Sequence, residues 1–236
     1  MKIAGGGIRK RMKLAALYSG GKDSTYAMQL MEQQGHTVDT LVSIVPLDPH
    51  SWLFHTPNMH LMPLIAQALG KRSIVTESSG SEEGDLRALR NILVGLDVDG
   101  LVTGAVASDY QWDRMNGVCE ALGLRVFSPL WRKEQEMLMR DLIASGIRAI
   151  IVAVQAEGLG AEWLGRRLDQ TALAELIKIS RSKGINLSGE GGEYETLVLD
   201  SSFHERPIEV LREERKVSRD GGTLTIKEAK LGGRKA

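Results

Sequence analysis

The sequence predicts an α/β fold: a Rossmann-like parallel sheet with helices on both faces, followed by a smaller α+β domain. Three observations carry that prediction. Short apolar runs alternate with helical patterns from Leu14 to Phe127, which argues for parallel strands joined by crossover helices. After Pro129 strand-like runs follow one another directly. The first run also ends in Ser19-Gly20-Gly21-Lys22-Asp23-Ser24, at the strand-to-helix junction where such sheets bind anions.

The elements follow in order. Leu14 to Tyr18 is a strand, and Asp23 to Gln34 a helix whose Tyr26, Ala27, Leu30 and Met31 share one stripe, with Gly35 as its stop. Val38 to Val45 is a strand closed by Pro46. Met59 to Leu69 is a helix that tolerates Pro63 only near its first turn. Ser73 to Thr76 is a short strand. Asp85 to Leu96 is a helix with Leu86, Leu89, Leu93 and Leu96 at helical spacing. Gly100 to Thr103 is a strand, Asp113 to Leu122 a helix and Leu124 to Phe127 a strand. Right-handed crossovers place the loops after each strand on one edge, so the loops after Tyr18, Val45, Thr76 and Thr103 are the ones to inspect.

Beyond Pro129, Glu134 to Ser145 and Leu168 to Lys183 are helices. Ala149 to Val154, Glu195 to Leu199, Ile208 to Leu211 and Thr223 to Ile226 are strands. Four segments result: a flexible extension over 1–12, a nucleotide-binding domain over 13–130, a substrate-binding α+β domain over 131–226, and a frayed tail over 227–236. Arg212 to Lys216 is a mixed-charge run expected on a solvated face.

Composition narrows the function classes. Thirty basic residues balance thirty acidic ones, which disfavours a dedicated nucleic-acid or acidic-membrane binder. Cys119 is the only cysteine, so an intrachain disulfide and a Cys-x-x-Cys redox or zinc site are excluded. On a helix with Val118 and Leu122 it reads as a small buried apolar residue. No segment approaches the ~18 uninterrupted apolar residues of a membrane helix. A cytoplasmic location without membrane contact is expected. Oligomeric state, a homodimer included, stays open. The 26 glycines among 236 residues exceed the usual ~7%, and many fall at turns after apolar runs.

The first loop is a phosphate cradle by chemistry. Paired glycines let backbone N–H groups turn toward an anion with no Cβ in the way, and the helix that follows adds its positive end. Ser19 and Ser24 offer hydroxyls, Lys22 a cation, and Asp23 a carboxylate for a magnesium ion. A Walker A loop would need glycine where Ala16 stands and Ser or Thr where Asp23 stands; a dinucleotide fingerprint would need three spaced glycines. The segment instead resembles the PP-loop, Ser-Gly-Gly-x-Asp-Ser, of the ATP pyrophosphatases, whose fold is that of the adenine nucleotide alpha hydrolases. That resemblance implies cleavage of ATP between its α and β phosphates and adenylation of an acceptor oxygen.

Three further segments narrow the acceptor. Ser51 to Asn58 carries Trp52, Phe54 and His55, an aromatic loop suited to stacking on a base. Thr103 to Gln111, followed by Arg114, brings a carboxylate, an amide and a guanidinium to the sheet edge. Gly189-Glu190-Gly191-Gly192-Glu193-Tyr194-Glu195-Thr196 places three carboxylates within six residues, which repel one another unless they face solvent, a cation or a metal. With the PP-loop, these stretches resemble the diphthine–ammonia ligases, or diphthamide synthetases, from Leu14 to about Ile226.

The resemblance implies an ATP-dependent ligase that adenylates the carboxylate of diphthine on translation elongation factor 2 and amidates it with ammonia, releasing AMP and pyrophosphate. ATP and Mg2+ would be its cofactors, and the elongation factor, ATP and ammonium its partners. By that resemblance Ser19, Gly20, Gly21, Lys22, Asp23, Ser24, His55 and Gly104 bind ATP, and Asp23 the magnesium. Lys22, Asp23, Asp109, Glu190 and Glu193 carry the chemistry. Gln111, Arg114, Gly192, Tyr194, Glu195 and Thr196 hold the acceptor, where a trimethylammonium group would suit carboxylates with an aromatic edge such as Tyr194 or Trp52. The lone cysteine disfavours a sulfur-transferring tRNA enzyme, and the chain has no room for a glutaminase domain, so free ammonium would be the nitrogen source. Two alternatives stay open: a PP-loop enzyme acting on another acceptor, such as a small-molecule carboxylate or a tRNA base, and a sensor that binds ATP or AMP without turnover.

Overall fold

The computed structural model describes residues 10–47, 57–219 and 221–234. The first half is the expected parallel sheet. Strands β1 (Lys13–Leu17), β2 (Thr37–Pro46), β3 (Arg72–Ser78), β4 (Gly100–Val102) and β5 (Arg125–Phe127) pair in the order β3-β2-β1-β4-β5, all parallel. From β1 the chain winds outward to β2 and β3, then returns to the other side of β1 for β4 and β5. The order reverses between β1 and β4, and a crevice opens there at the carboxyl ends of these strands.

Side-chain alternation along β1 divides the core into two layers. Leu14, Ala16 and Tyr18 face one way, onto helix α1 (Lys22–Gln33) and helix α2 (Met62–Ala68). Ala15 faces the other way with Val42, Leu89, Met115 and Cys119, onto helices α3 (Glu82–Val94) and α4 (Asp109–Ala121). Helices thus cover both faces. Cys119 is fully buried, and burial pushes its thiol up to about 11, which fits an inert packing residue. Pro63 stands in the first turn of α2, which follows a single 3-10 turn over Met59–Leu61.

The second half begins with α5 (Gln135–Ala144) and β6 (Arg148–Val154), passes through a 3-10 turn at Ala161–Trp163 to α6 (Gln170–Lys183), and ends in β7 (Tyr194–Asp200), β8 (Ile208–Ser218) and β9 (Gly221–Leu231). These four strands form an antiparallel sheet ordered β7-β6-β9-β8. One continuous cluster, from Leu14 and Met28 through Leu138 to Val154, Leu197 and Leu224, fills the space between the two sheets. The halves therefore share a core.

Three sequence expectations change. Residues 227–231 do not fray: β9 runs to Leu231 because β8 pairs with it along its whole length, from Ile208↔Leu231 to Ser218↔Gly221. The charged run Arg212 to Lys216 is solvated as expected, but it lies inside β8. Helix α4 begins at Asp109, four residues before the expected start. Ser108 caps it, its hydroxyl accepting from the Gln111 N–H at 3.3 Å, an arrangement that contributes about 0.5–2 kcal/mol.

Candidate active site

A cavity of about 1000 Å³ opens where β1 and β4 end, with the second half of the chain as its far wall. Its floor is the loop 19–24. Gly20 has φ +78°, a left-handed conformation that favours glycine, and its carbonyl accepts from the Val198 N–H at 2.9 Å. Gly21 is the N-cap of α1 and gives it no side-chain cap, so the helix opens onto the cavity with its backbone donors and positive end. Ser19 and Ser24 join hydroxyls at 3.1 Å. The Lys22 N–H donates to Thr196 Oγ1 at 3.1 Å. The edge of β7 thus holds the loop from the opposite domain.

Lys22 lines the cavity yet is almost wholly buried, with 4% of its side chain exposed. Its ammonium donates to Asp23 Oδ2 at 2.6 Å and to the Ser188 carbonyl at 2.5 Å, and it lies 5.4 Å from the Tyr194 ring centre. Burial alone would lower its pKa. The charge and hydrogen bond of Asp23, with the nearby Tyr194 and Glu190, together outweigh that and hold it above the ordinary lysine range. Gly104, on the loop after β4, sits against the start of α1. A Cβ there would lie 2.7 Å from the Ser24 nitrogen and 2.8 Å from the Asp23 carbonyl carbon, so a side chain would push the cradle aside.

The three carboxylates of the second-domain loop take three different places. Glu190 reaches across the cavity, and its Oε1 accepts from the Val106 and Ala107 N–H groups at 3.0 and 3.2 Å. Burial raises its pKa, the two N–H bonds lower it, and the Asp23 charge raises it further; the net direction is up. Glu193 folds back on its own loop, accepting from the Asn186 and Gly191 N–H groups at 2.9 Å each. Glu195 lines the cavity beside Lys22, and burial pushes its carboxyl up to about 8 against the pull of that cation.

Two amino-acid family models match the chain. One, described as the diphthamide synthase N-terminal domain, covers residues 12–126, and the other, described as the diphthamide synthase C-terminal domain, covers residues 134–231. The chain belongs to the diphthamide synthase family. It is similar to proteins named diphthine–ammonia ligase from Homo sapiens (36% identical, over 84% of this chain and 82% of that one) and Bos taurus (35%, over 84% and 82%). One from Schizosaccharomyces pombe is 33% identical over 93% of this chain and 39% of its own. A solved structure described as a predicted subunit of a tRNA methyltransferase from Methanocaldococcus jannaschii is 16% identical, covers 80% of this chain and 99% of that one, and has a TM-score of 0.42.

In this chain the cavity gathers most of the residues singled out from sequence. Ser19, Gly21, Lys22, Asp23, Ser24, Gly104, Gln111, Glu190, Gly192, Tyr194, Glu195 and Thr196 line it. Gly20 lies beneath the loop, where a Cβ would meet the Met62 side chain at 2.7 Å. The structure places other expected site residues differently. Asp109 does not line the cavity: it opens α4 on the outside and pairs with Arg132 at 3.0 Å, both side chains more than two-thirds exposed. Arg114 is turned to Glu82 at 2.8 Å and stacks on Tyr110, 3.8 Å from its ring centre, so it braces the rim. Glu193 serves its own loop, for the hydrogen-bonding reason just given. Tyr194 is buried, with its hydroxyl donating to the Leu187 carbonyl at 2.8 Å, and it packs behind Lys22 instead of forming an open aromatic edge. His55 and Trp52 lie outside the described residues.

Sequence reasoning missed other contributors. The Ser188 carbonyl and the Val106 and Ala107 N–H groups act through the backbone, which no residue-type pattern reports. Glu82 lines the rim because Ser81 caps α3 and starts it three residues before the expected Asp85. Ser81 followed by acidic residues was the signal that could have found it. Leu17, Ile44, Met59 and Met115 give the cavity an apolar side.

The cradle fits a magnesium nucleotide. Asp23 Oδ1 is a buried oxygen on the cavity wall with no hydrogen-bond partner among the described residues, the donor that a hard divalent cation takes. Among the described residues no three His, Cys, Asp or Glu side chains cluster to hold a metal by themselves. A magnesium ion here would bind Asp23 together with phosphate oxygens and would offset their charge.

Proposed function

We propose that the protein is an ATP-dependent, AMP-forming ligase that converts the carboxylate of diphthine on translation elongation factor 2 to the amide of diphthamide, with ammonia as nitrogen donor. It would act in the cytoplasm; among the described residues no helix is long and apolar enough to cross a membrane. The observation that carries the reading is the buried Lys22, ion-paired with Asp23 at 2.6 Å. It is held at the switch point of the parallel sheet by the second domain's Ser188 and Thr196, in a chain whose two halves both match the diphthamide synthase family.

On this reading the reaction has two steps. A carboxylate oxygen of the acceptor attacks the α phosphorus of ATP, and pyrophosphate leaves with the bonding pair. Lys22 and the N-terminus of α1 stabilise the charge that builds on that leaving group, a term usually among the largest in such reactions. Ammonia then attacks the acyl carbon, and AMP departs. Ser19, Ser24 and the glycines position the phosphates, Gly104 permits the close approach, and Gln111 with the second-domain loop faces the acceptor.

The test measures pyrophosphate and AMP release from magnesium-ATP and ammonium, with and without elongation factor 2 carrying unamidated diphthine, and weighs the factor by mass spectrometry. Release that depends on the factor, with the small mass loss of acid to amide, is expected. Release without regard to the factor would move the acceptor elsewhere, and ATP binding without release would leave a sensor.

A further inference from the structure

A lysine ammonium rides on a flexible four-carbon stem, so stabilising a leaving group requires that something hold the charge in place. We propose that Gln135 is a positioning residue for the adenylation step: it fixes the Leu187–Ser188 turn so that the Ser188 carbonyl holds the Lys22 ammonium at the cavity. The inference rests on the ligase reading above and extends its machinery to a residue outside the cavity lining.

The ammonium has two acceptors. Asp23 is its neighbour in the chain and moves with it, whereas the Ser188 carbonyl, at 2.5 Å, comes from the other half of the molecule. The peptide that carries this carbonyl is held at its other end, where the Gly189 N–H donates to the Asn186 carbonyl at 3.0 Å. The preceding peptide is held on both sides. The Leu187 carbonyl accepts from the Tyr194 hydroxyl at 2.8 Å, and the Ser188 N–H donates to Asn186 Oδ1 at 3.1 Å. Asn186 belongs to the same turn and Tyr194 follows it closely in the chain, so these bonds give the turn its shape. Gln135 gives it a place. Its Oε1 accepts from the Leu187 N–H at 2.8 Å and, at 3.4 Å, from the Ser188 N–H, which joins the turn to a helix 52 residues away.

Helix α5 is a firm support. Gln135 is its first residue, and Glu134 caps it, accepting from the Glu136 and Met137 N–H groups at 2.9 and 2.7 Å. Leu138, Met139 and Leu142 are fully buried in the core that both halves share. Gln135 itself is half-buried and uncharged, and with Leu187 it lines a separate cavity of about 440 Å³. Two N–H donors converge on its one oxygen, so the position needs an acceptor. Without it the turn can shift, and the Ser188 carbonyl and the Lys22 charge shift with it.

A double-mutant cycle tests this. Pyrophosphate release is measured for wild type, Gln135→Ala, Lys22→Ala and the double variant, with magnesium-ATP, ammonium and diphthine-bearing elongation factor 2 at saturation. Gln135→Ala should lower kcat by roughly 10-fold and leave KM for ATP within about 2-fold, the pattern of a misplaced transition-state contact. On the Lys22→Ala background the same change should lower kcat by less than about 2-fold, because the group it positions is gone. Gln135→Glu, which keeps an oxygen for both N–H groups, should retain most of the rate. Should Gln135→Ala fail to fold in a thermal melt, Gln135→Met removes the acceptor at similar length. Equal loss of kcat on both backgrounds, or a lowered melting temperature with kcat unchanged, would overturn the inference and leave the ligase reading intact. A wild-type chain that releases no pyrophosphate would defeat the ligase reading, and the inference with it.

Discussion

The loop 19–24 and the loop 189–196 both mix glycine with charged side chains, and they face each other across one cavity. In the first loop the charges point into the site as their order in the chain implies. Lys22 and Asp23 lie on the first turn of α1, fixed by the strand before and the helix after. In the second loop three similar carboxylates diverge. Glu190 bridges to the opposite domain, Glu193 closes its own loop, and Glu195 faces the cavity. A local strand–turn–helix dictates where its side chains go. A glycine loop with no regular structure leaves that choice to whatever backbone donors the tertiary fold brings near.

Removing the first loop's cation breaks this contrast most strongly. Lys22→Ala should slow pyrophosphate release by roughly 10²–10³-fold, the scale of one lost electrostatic stabiliser. It should also loosen the domain contact, because Ser188 loses its donor and Asp23 its cation. Product release at saturating ATP, checked against a thermal melt, reads both effects; a rate near wild type would remove Lys22 from the chemistry.

Glu193→Ala sharpens the contrast. It leaves the Asn186 and Gly191 N–H groups without their acceptor and should cost about 1–2 kcal/mol in denaturant unfolding, with a smaller loss of rate than Lys22→Ala. A rate loss as large as that of Lys22→Ala, with stability intact, would return Glu193 to the chemistry.

Glu195 predicts a pH slope. Its carboxyl is raised to about 8 in the folded protein against 4.5 for an ordinary glutamate. Across that window the folded state holds a proton that the unfolded chain has released. Stability must therefore fall as pH rises from about 5 to 8. Glu195→Gln, neutral in both states, should flatten that part of the profile, measured as unfolding midpoints in urea at several pH values. A wild-type profile identical to the variant's would mean Glu195 is ionised when folded.

Asp109→Asn is the smallest effect. Its pair with Arg132 is solvated on both sides, so the substitution should change stability by less than ~1 kcal/mol and leave turnover within a few-fold. A large loss of turnover would place Asp109 at the acceptor after all.

Much of the fold was legible because periodicity reports burial. The apolar run Leu14 to Leu17 reappears as a strand buried on both faces, and the stripe of Leu89 and Leu93 as part of one core layer. Helix starts were less legible. Ser81 and Ser108 move α3 and α4 toward the cavity, and a hydroxyl cap is a weaker pattern than an apolar stripe. The tail was misread for a related reason: Lys227 to Leu231 has few apolar residues, and only pairing with β8 makes it a strand.

By itself the sequence determined the parallel sheet, the position of its phosphate loop and the residue types in it, since a glycine turn between a strand and a helix is a local structure. The tertiary structure alone decided that Lys22 is buried against a carbonyl of the other domain, that Asp109 and Arg114 face away, and that Glu190 and Glu195, of three similar glutamates, are the ones desolvated near Lys22. Those outcomes depend on desolvation and on hydrogen-bond partners 23 to 166 residues distant in the chain, and a linear pattern carries neither.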